Sequence, residues 1–224
     1  MMKKEYQPER RPLGARKWGA SHAAAAWLAA RGVSPNSISV AGFFASLAAG
    51  AAFVATRESD RPALLLVTGC AFILIRGMCN MLDGMVAVST GKASPGGELF
   101  NEVPDRLSDS VTLVGVGYAV GGIPELGYAA AIMAVFTAYV RVQGCALGTP
   151  ADFSGPMSKT HRMFVVVSAA LYAAIAPVSW QPKTAAIPDA GVLSLALMAV
   201  IVGCAVTSAR RLRRCAKTLK GGGV

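Results

Sequence analysis

The chain has 224 residues, 54% hydrophobic and 15% charged, with a mean hydropathy of +0.48 and a formal net charge of +10. A soluble domain carries about 25% charge and a disordered chain is poor in apolar residues, so both are excluded. Five Cys are too few, and odd in number, for a disulfide-stapled secreted domain. What fits is an all-α integral membrane protein, read as one membrane domain over residues 1–224 with no long linker and no internal repeat.

In chain order, residues 1–31 form a basic arm with seven cations. Within it, residues 15–31 are Ala-rich, carry Trp18 and Trp27, and have basic ends. That pattern predicts an interfacial amphipathic helix lying among the headgroups. A signal peptide is the rival reading, but Arg31 ends the apolar run and a full span follows at once. A span needs about 20 mostly apolar residues. Six such segments are predicted, over 35–56, 62–86, 104–122, 125–147, 163–180 and 190–209, making a six-helix bundle within 35–209. Residues 210–224 are expected to form a solvated, lipid-facing basic tail, with six cations between 210 and 220.

The cations also fix the orientation. With six spans, both termini share a side with Lys92, Lys159 and Arg162, whereas the opposite loops hold only Arg57, Arg61 and Lys183. Cytoplasmic loops carry the excess of Lys and Arg, so both termini are expected in the cytoplasm; the inner membrane is what the family resemblance given below implies. The basic ends suit anionic lipid. Aromatics interleaved with basic stripes, as single-stranded nucleic acid requires, are missing, so no nucleic-acid partner is expected.

Ionisable groups inside a span cost about 2.5–3.5 kcal/mol each on insertion scales and mark function by default. Here they cluster. Asn80 and Asp83 are three residues apart, so they share one helix face, with Gly84 and Ala87 keeping the surface low beside them. Gly97, Asn101, Asp105 and Asp109 recur every fourth residue, again one face. If the two helices are neighbours, Asn80, Asp83, Asn101 and Asp105 bring hard oxygen donors together at the cytoplasmic end. Such donors suit Mg2+ or Mn2+, with phosphate completing the shell. The bland alternative is that these groups only hydrogen-bond helices together. Arg141, Lys159 and Arg162, with His161 beside them, form a second group, which is ordinary positive-inside charge or, if the resemblance given below holds, a pocket for an anionic acceptor.

These residues resemble the signature of the CDP-alcohol phosphotransferase family, Asp-x2-Asp-Gly-x2-Ala-Arg-x8-Gly-x3-Asp-x3-Asp. The chain reads Asn80-x2-Asp83-Gly84-x2-Ala87-Val88-x8-Gly97-x3-Asn101-x3-Asp105, with every spacing kept. The resemblance extends to the six spans, the interfacial helix and the Ser-Pro-Asn-Ser-Ile-Ser stretch at 34–39. It departs where Asn80 and Asn101 replace acidic ligands and Val88 replaces Arg. The site then has two fewer negative charges, and Lys92 or Arg76 is left to replace the lost cation.

The resemblance implies a membrane enzyme of phospholipid biosynthesis. It would move a phosphatidyl-type group from CDP-diacylglycerol, or a similar CDP-lipid, to a hydroxyl acceptor with release of CMP. It implies Asp105 as general base, Asn80, Asp83, Asn101 and Asp105 as metal ligands, and Asn36, Gly84, Ala87 and Gly97 at the CDP-lipid. The acceptor is left open among polyols, their phosphates, amino alcohols and lipids. The alternative is a family member with weakened or no activity that binds nucleotide-lipid. Asp109 joins the metal shell or, as the expected case, pairs with Arg106. Gly117-x3-Gly121 is a helix-packing motif, within one chain or in a homodimer. A transporter reading lacks a polar path through the far leaflet. No cysteine pair or zinc site is expected.

Overall fold

The computed structural model describes residues 14–92, 94–182 and 190–221. Lys183, Lys3, Lys4, Arg10 and Arg11 therefore lie outside the described residues. The fold is helical, with no strand among those residues. A 3-10 turn at Gly14–Lys17 precedes α1 (Gly19–Ala30). Six longer helices follow: α2 (Pro35–Ala55), α3 (Pro62–Ser89), α4 (Pro95–Tyr118), α5 (Pro124–Ala146), α6 (Lys159–Ile175) and α7 (Val192–Gly221).

Proline at the first position starts four of them, at Pro35, Pro62, Pro95 and Pro124. There its missing N–H costs nothing and its fixed φ is already helical. Ser34 and Ser94 complete the starts of α2 and α4, their hydroxyls accepting from the Ser37 N–H at 3.0 Å and the Gly97 N–H at 3.1 Å. Gly32, Gly91 and Gly148 end helices with positive φ, which a side chain resists.

Each predicted span has its helix, but three boundaries move. The third was expected to begin at 104, and α4 begins at Pro95. The Ser-Pro cap starts the helix in charged sequence that an apolar window passes over. The fifth begins at Lys159 rather than 163. The sixth does not stop at 209: α7 runs on through the basic segment to Gly221. The N-terminal helix is Gly19–Ala30, shorter than 15–31, because Trp18 is extended and Gly32 breaks the chain.

Four helices are long and apolar enough to cross a membrane: α2, α3, α5 and α7. The other two are exceptions for different reasons. α4 carries Glu102, Asp105, Arg106 and Asp109, and α6 has 17 residues, about 26 Å at 1.5 Å per residue.

The main core joins Phe53 of α2, Ile73 of α3, Leu113 and Val116 of α4, Val166 of α6, and Leu197 and Val200 of α7. A smaller cluster seats α1 on the bundle through Ala25, against Ile38, Met81, Met85 and Val86. Trp18 and Trp27 remain exposed, and Arg31 lies 4.0 Å over the Trp27 ring. Gly117 packs against Gly127, and Gly121 against Gly191, inside the one chain.

Candidate active site

Three helices build the site. On α3, Arg76, Asn80 and Asp83 follow one another at helical spacing and share a face. On α4, Asn101, Asp105 and Asp109 do the same. α6 begins at Lys159 and adds Arg162 one turn on. The side chains meet in layers that descend from the Ser89 end of α3.

In the outer layer, Asp83 accepts a hydrogen bond from the Ser39 hydroxyl of α2 at 2.7 Å and another from the Gly84 N–H. Asp83 lies within electrostatic reach of Asp105 and Lys159. In the middle layer, the Asn80 amide donates to Asp105 Oδ2 at 3.5 Å, and the Lys159 ammonium is paired with the same oxygen. The other oxygen, Oδ1, takes Arg76 Nη2 at 2.7 Å. In the inner layer, Asp109 stands between Arg76 at 3.5 Å and Arg162 at 2.7 Å. Arg76 and Arg162 side chains are each only 5% exposed, Lys159 7%. Buried charges persist only when paired: Asp105 and Asp109 pair with Arg76, Lys159 and Arg162, and Asp83 is held by Ser39 and the Gly84 N–H. A cavity of about 30 Å³ lies beneath, bounded in part by Arg76, Asp109, Thr112 and Arg162. It has room for a buried water.

The structure thus brings Asn80 and Asp105 together, with Asp83 close by. Asn101 is half-buried one turn before Asp105 and makes no hydrogen bond to the other three among the described residues. Asn36 is exposed in the first turn of α2, Gly84 and Ala87 are partly buried on α3, and Gly97 sits in the first turn of α4. Among the described residues a Cβ on Gly97 would meet only Ser94 Oγ, at 3.3 Å. Val88 and Lys92 are exposed. Of the two cations considered as replacements for the lost Arg, only Arg76 faces the cluster.

Asp109 pairs with Arg162 and Arg76 rather than with Arg106. Arg106 instead reaches Glu102, at 3.1 Å, and Asp105, at 3.7 Å. Arg141 is held by Glu102 at 2.8 Å and lies 5.0 Å over the Phe153 ring.

Sequence reasoning missed three residues. Ser39 holds Asp83. Glu102 holds Arg141. Arg211, assigned to a solvated tail, is 3% exposed and donates to the backbone carbonyls of Ser154 at 3.1 Å and Thr137 at 2.9 Å. The signal for Arg211 was in the pattern. Val200, Cys204, Thr207 and Arg211 continue one buried helical face past the end of the apolar run.

The donor set fits a hard divalent ion. Two carboxylates and two amide oxygens on facing helices leave coordination places for phosphate oxygens. No group of three or more His, Cys, Asp or Glu among the described residues forms a metal cage by itself, so substrate oxygens would have to complete the shell.

In a bundle with four helices long and apolar enough to cross a membrane, a charged cleft between the helices is a candidate functional site. Comparison with known proteins narrows the reading. No family model matches the chain. It is 28% identical over 150 residues to the archaetidylinositol phosphate synthase of Pyrococcus horikoshii, covering 66% of this chain and 74% of that one. It is 26% identical over 195 residues to the phosphatidylinositol phosphate synthase of Streptomyces avermitilis, covering 84% of this chain and 74% of that one. Its fold matches the Mycobacterium tuberculosis phosphatidylinositol phosphate synthase with CDP-DAG bound. There the TM-score is 0.69 at 20% identity, over 87% of this chain and 92% of that one. The same enzyme in complex with manganese and citrate gives a TM-score of 0.70 at 20% identity, over 87% and 88%. The chain's homologues are CDP-alcohol phosphotransferases, the family that the spacing of its signature resembles. They are transferases of substituted phosphate groups.

Proposed function

We propose that the chain is a multi-pass membrane phosphatidyltransferase of phospholipid synthesis, taking a CDP-lipid such as CDP-diacylglycerol and releasing CMP. The observation that carries this reading is the meeting of Asn80, Asp105 and Lys159 from three helices in one buried cleft, beside Asp83. Its synthase homologues support it. All six long helices cross the bilayer in this reading, with α1 lying at the cytoplasmic headgroups and both termini on that side.

The CDP-lipid enters over Asn36, Gly84, Ala87 and Gly97, where small side chains leave room for its head. Asp83 and Asp105, with the amide oxygens of Asn80 and Asn101, would hold a divalent ion. When bound, that ion supplies charge neutralisation of the diphosphate. Ser39 fixes the Asp83 carboxylate, so the ligand is oriented before substrate arrives.

Asp105 accepts the proton of the attacking hydroxyl as the oxygen–phosphorus bond forms and the bond to CMP breaks. Lys159 occupies the oxygen that would take this proton. An anionic acceptor that draws Lys159 to itself frees that oxygen, so acceptor binding prepares the base. The acceptor is best read as a phosphorylated polyol of the inositol phosphate type. Arg141, Lys159 and Arg162 surround its place, although each is already paired with a carboxylate. Among the described residues Arg211 donates to backbone carbonyls and makes no ion pair, with the Asp152 charge within electrostatic reach, which leaves its charge open to a phosphate.

The test is CMP release by the purified protein from CDP-diacylglycerol with Mg2+ or Mn2+, across neutral and phosphorylated hydroxyl acceptors. Release that depends on metal and on a phosphorylated acceptor is expected. Tight CDP binding with no CMP release under any condition would replace this reading with the inactive binder.

A further inference from the structure

The cleft has an unusual charge count for a place that takes a divalent ion. Asp83, Asp105 and Asp109 carry three negative charges, and Arg76, Lys159 and Arg162 carry three positive ones. All six are buried or nearly so. The two remaining donors, Asn80 and Asn101, are neutral. Arg106, at the edge of the cleft 3.7 Å from Asp105, is taken up by Glu102 at 3.1 Å, so the six inner charges are balanced by protein alone.

Arg76 is central to that balance. It sits one turn along α3 from Asn80, and its guanidinium touches both Asp105 and Asp109. Its Nη1 is buried with no hydrogen-bond partner among the described residues. Arg76 therefore brings a full positive charge into the cleft and has a donor to spare. A divalent ion entering alone would place two uncompensated positive charges beside this guanidinium in a medium of low dielectric. A diphosphate entering alone would add two uncompensated negative charges. Entering together, they restore neutrality.

We propose that Arg76 acts as a built-in counter-cation that makes the cleft bind its divalent ion and the diphosphate of its nucleotide only as a pair. This rests on the phosphatidyltransferase reading and deepens it. Arg76 is a positioning residue here: it sets which charges the cleft admits and touches Asp105, not the reacting atoms. Linkage makes the effect reciprocal, so the ion strengthens nucleotide binding by the same factor as the nucleotide strengthens ion binding.

The test is a Mn2+ titration of the purified full chain followed by electron paramagnetic resonance, with and without CDP. It is corrected for the Mn2+ that CDP holds in solution. In the wild type, CDP is expected to tighten Mn2+ binding at least about tenfold, with Mn2+ tightening CDP equally. Arg76→Gln is expected to bind Mn2+ alone about tenfold more tightly than wild type and to lose most of the coupling. Arg76→Lys should keep it, which a merely structural role would not require. Asp105 and Asp109 retain Lys159 and Arg162 in the Gln variant, and the wild-type reciprocity tests the proposal without any variant. Equal Mn2+ affinity with and without CDP, no Mn2+ binding in either condition, or an Arg76→Gln protein that couples like wild type would overturn it. CMP release alongside uncoupled Mn2+ binding would remove this inference and leave the transferase reading standing. Coupled binding with no CMP release would do the reverse.

Discussion

The two ends of the bundle are held together by different physics. At the end away from the site, helices touch backbone to backbone. A Cβ on Gly115 of α4 would lie 2.7 Å from the Gly50 Cα of α2, and one on Gly117 would lie 2.9 Å from the Gly127 Cα of α5. The turns there are sealed by neutral or backbone partners: Thr56 accepts from the Val120 N–H at 2.9 Å, and Arg57 donates to the Gly122 carbonyl at 2.9 Å. At the site end, α3, α4 and α6 are joined by ion pairs around Asp105 and Asp109. The far end is therefore sensitive to size, because no side chain there can move aside. The near end is sensitive to charge, because Arg76, Lys159 and Arg162 depend on Asp105 and Asp109 for their pairing. In the proposed function the ion and the diphosphate enter at the near end, and the close backbone packing lies at the other.

The largest effect should come from size at the far end. Gly115→Val drives side-chain atoms into the backbone of α2 and is expected to destabilise by about 3 kcal/mol or more, removing monodisperse protein from size-exclusion chromatography in detergent. Gly97→Ala at the near end is the matched control, since among the described residues its close neighbour is a serine hydroxyl. It should remain folded. A well-folded Gly115→Val protein would break the contrast between the two ends.

Next comes charge at the near end. Asp105→Asn keeps the shape and an oxygen for Arg76 but removes the proton acceptor. CMP release is expected to fall at least about 10³-fold, near the upper part of what general-base catalysis contributes, while the protein stays monodisperse. Retained turnover would remove Asp105 as the base.

This contrast also explains what the sequence made legible. Helix identity was readable because Ser34-Pro35 and Ser94-Pro95 are local start signals and the apolar runs are long. The start of α4 was misplaced because an apolar window rejects residues 97–109, although their cap and four-residue spacing are helical. The spacing of Asn80, Asp83, Asn101 and Asp105 was readable because a helix fixes which residues share a face. The partners of Asp109 were not. Arg106 is its neighbour in sequence, but Arg76 and Arg162 reach it from other helices, and that choice belongs to tertiary packing. Arg211 was lost to composition: a run of cations reads as a solvated tail unless the buried period is followed through it.

A third effect separates acceptor from nucleotide. Arg211→Gln keeps donors for the Ser154 and Thr137 carbonyls but removes the charge. The KM for a phosphorylated acceptor is expected to rise about tenfold or more, the scale of a lost charged hydrogen bond. The KM for CDP-diacylglycerol should stay within about twofold. Equal losses for both substrates would move Arg211 from the acceptor to the framework.

The smallest effect lies outside the bundle, in the loop between α5 and α6. Asp152 there is paired with Arg214 at 2.7 Å and takes the Ser154 N–H and hydroxyl. Partial burial raises its carboxyl, but the Ser154 hydrogen bonds and the charges of Arg214 and Arg211 outweigh it and hold the group below its ordinary range. A carboxylate depressed in the folded state contributes stability in full above its unfolded value, about 3.9. It loses that contribution as pH falls through the folded value. Asp152→Asn should therefore lower Tm slightly at neutral pH, by the worth of an exposed pair, at most about 1 kcal/mol. The difference from wild type should begin to shrink below about pH 4 and vanish only below the lower value of the folded carboxyl. A gap that widens with acid would mean that the loop is held by something other than this carboxylate. Arg211, whose Nε is bound to the Ser154 carbonyl in the same loop, would then need a different support.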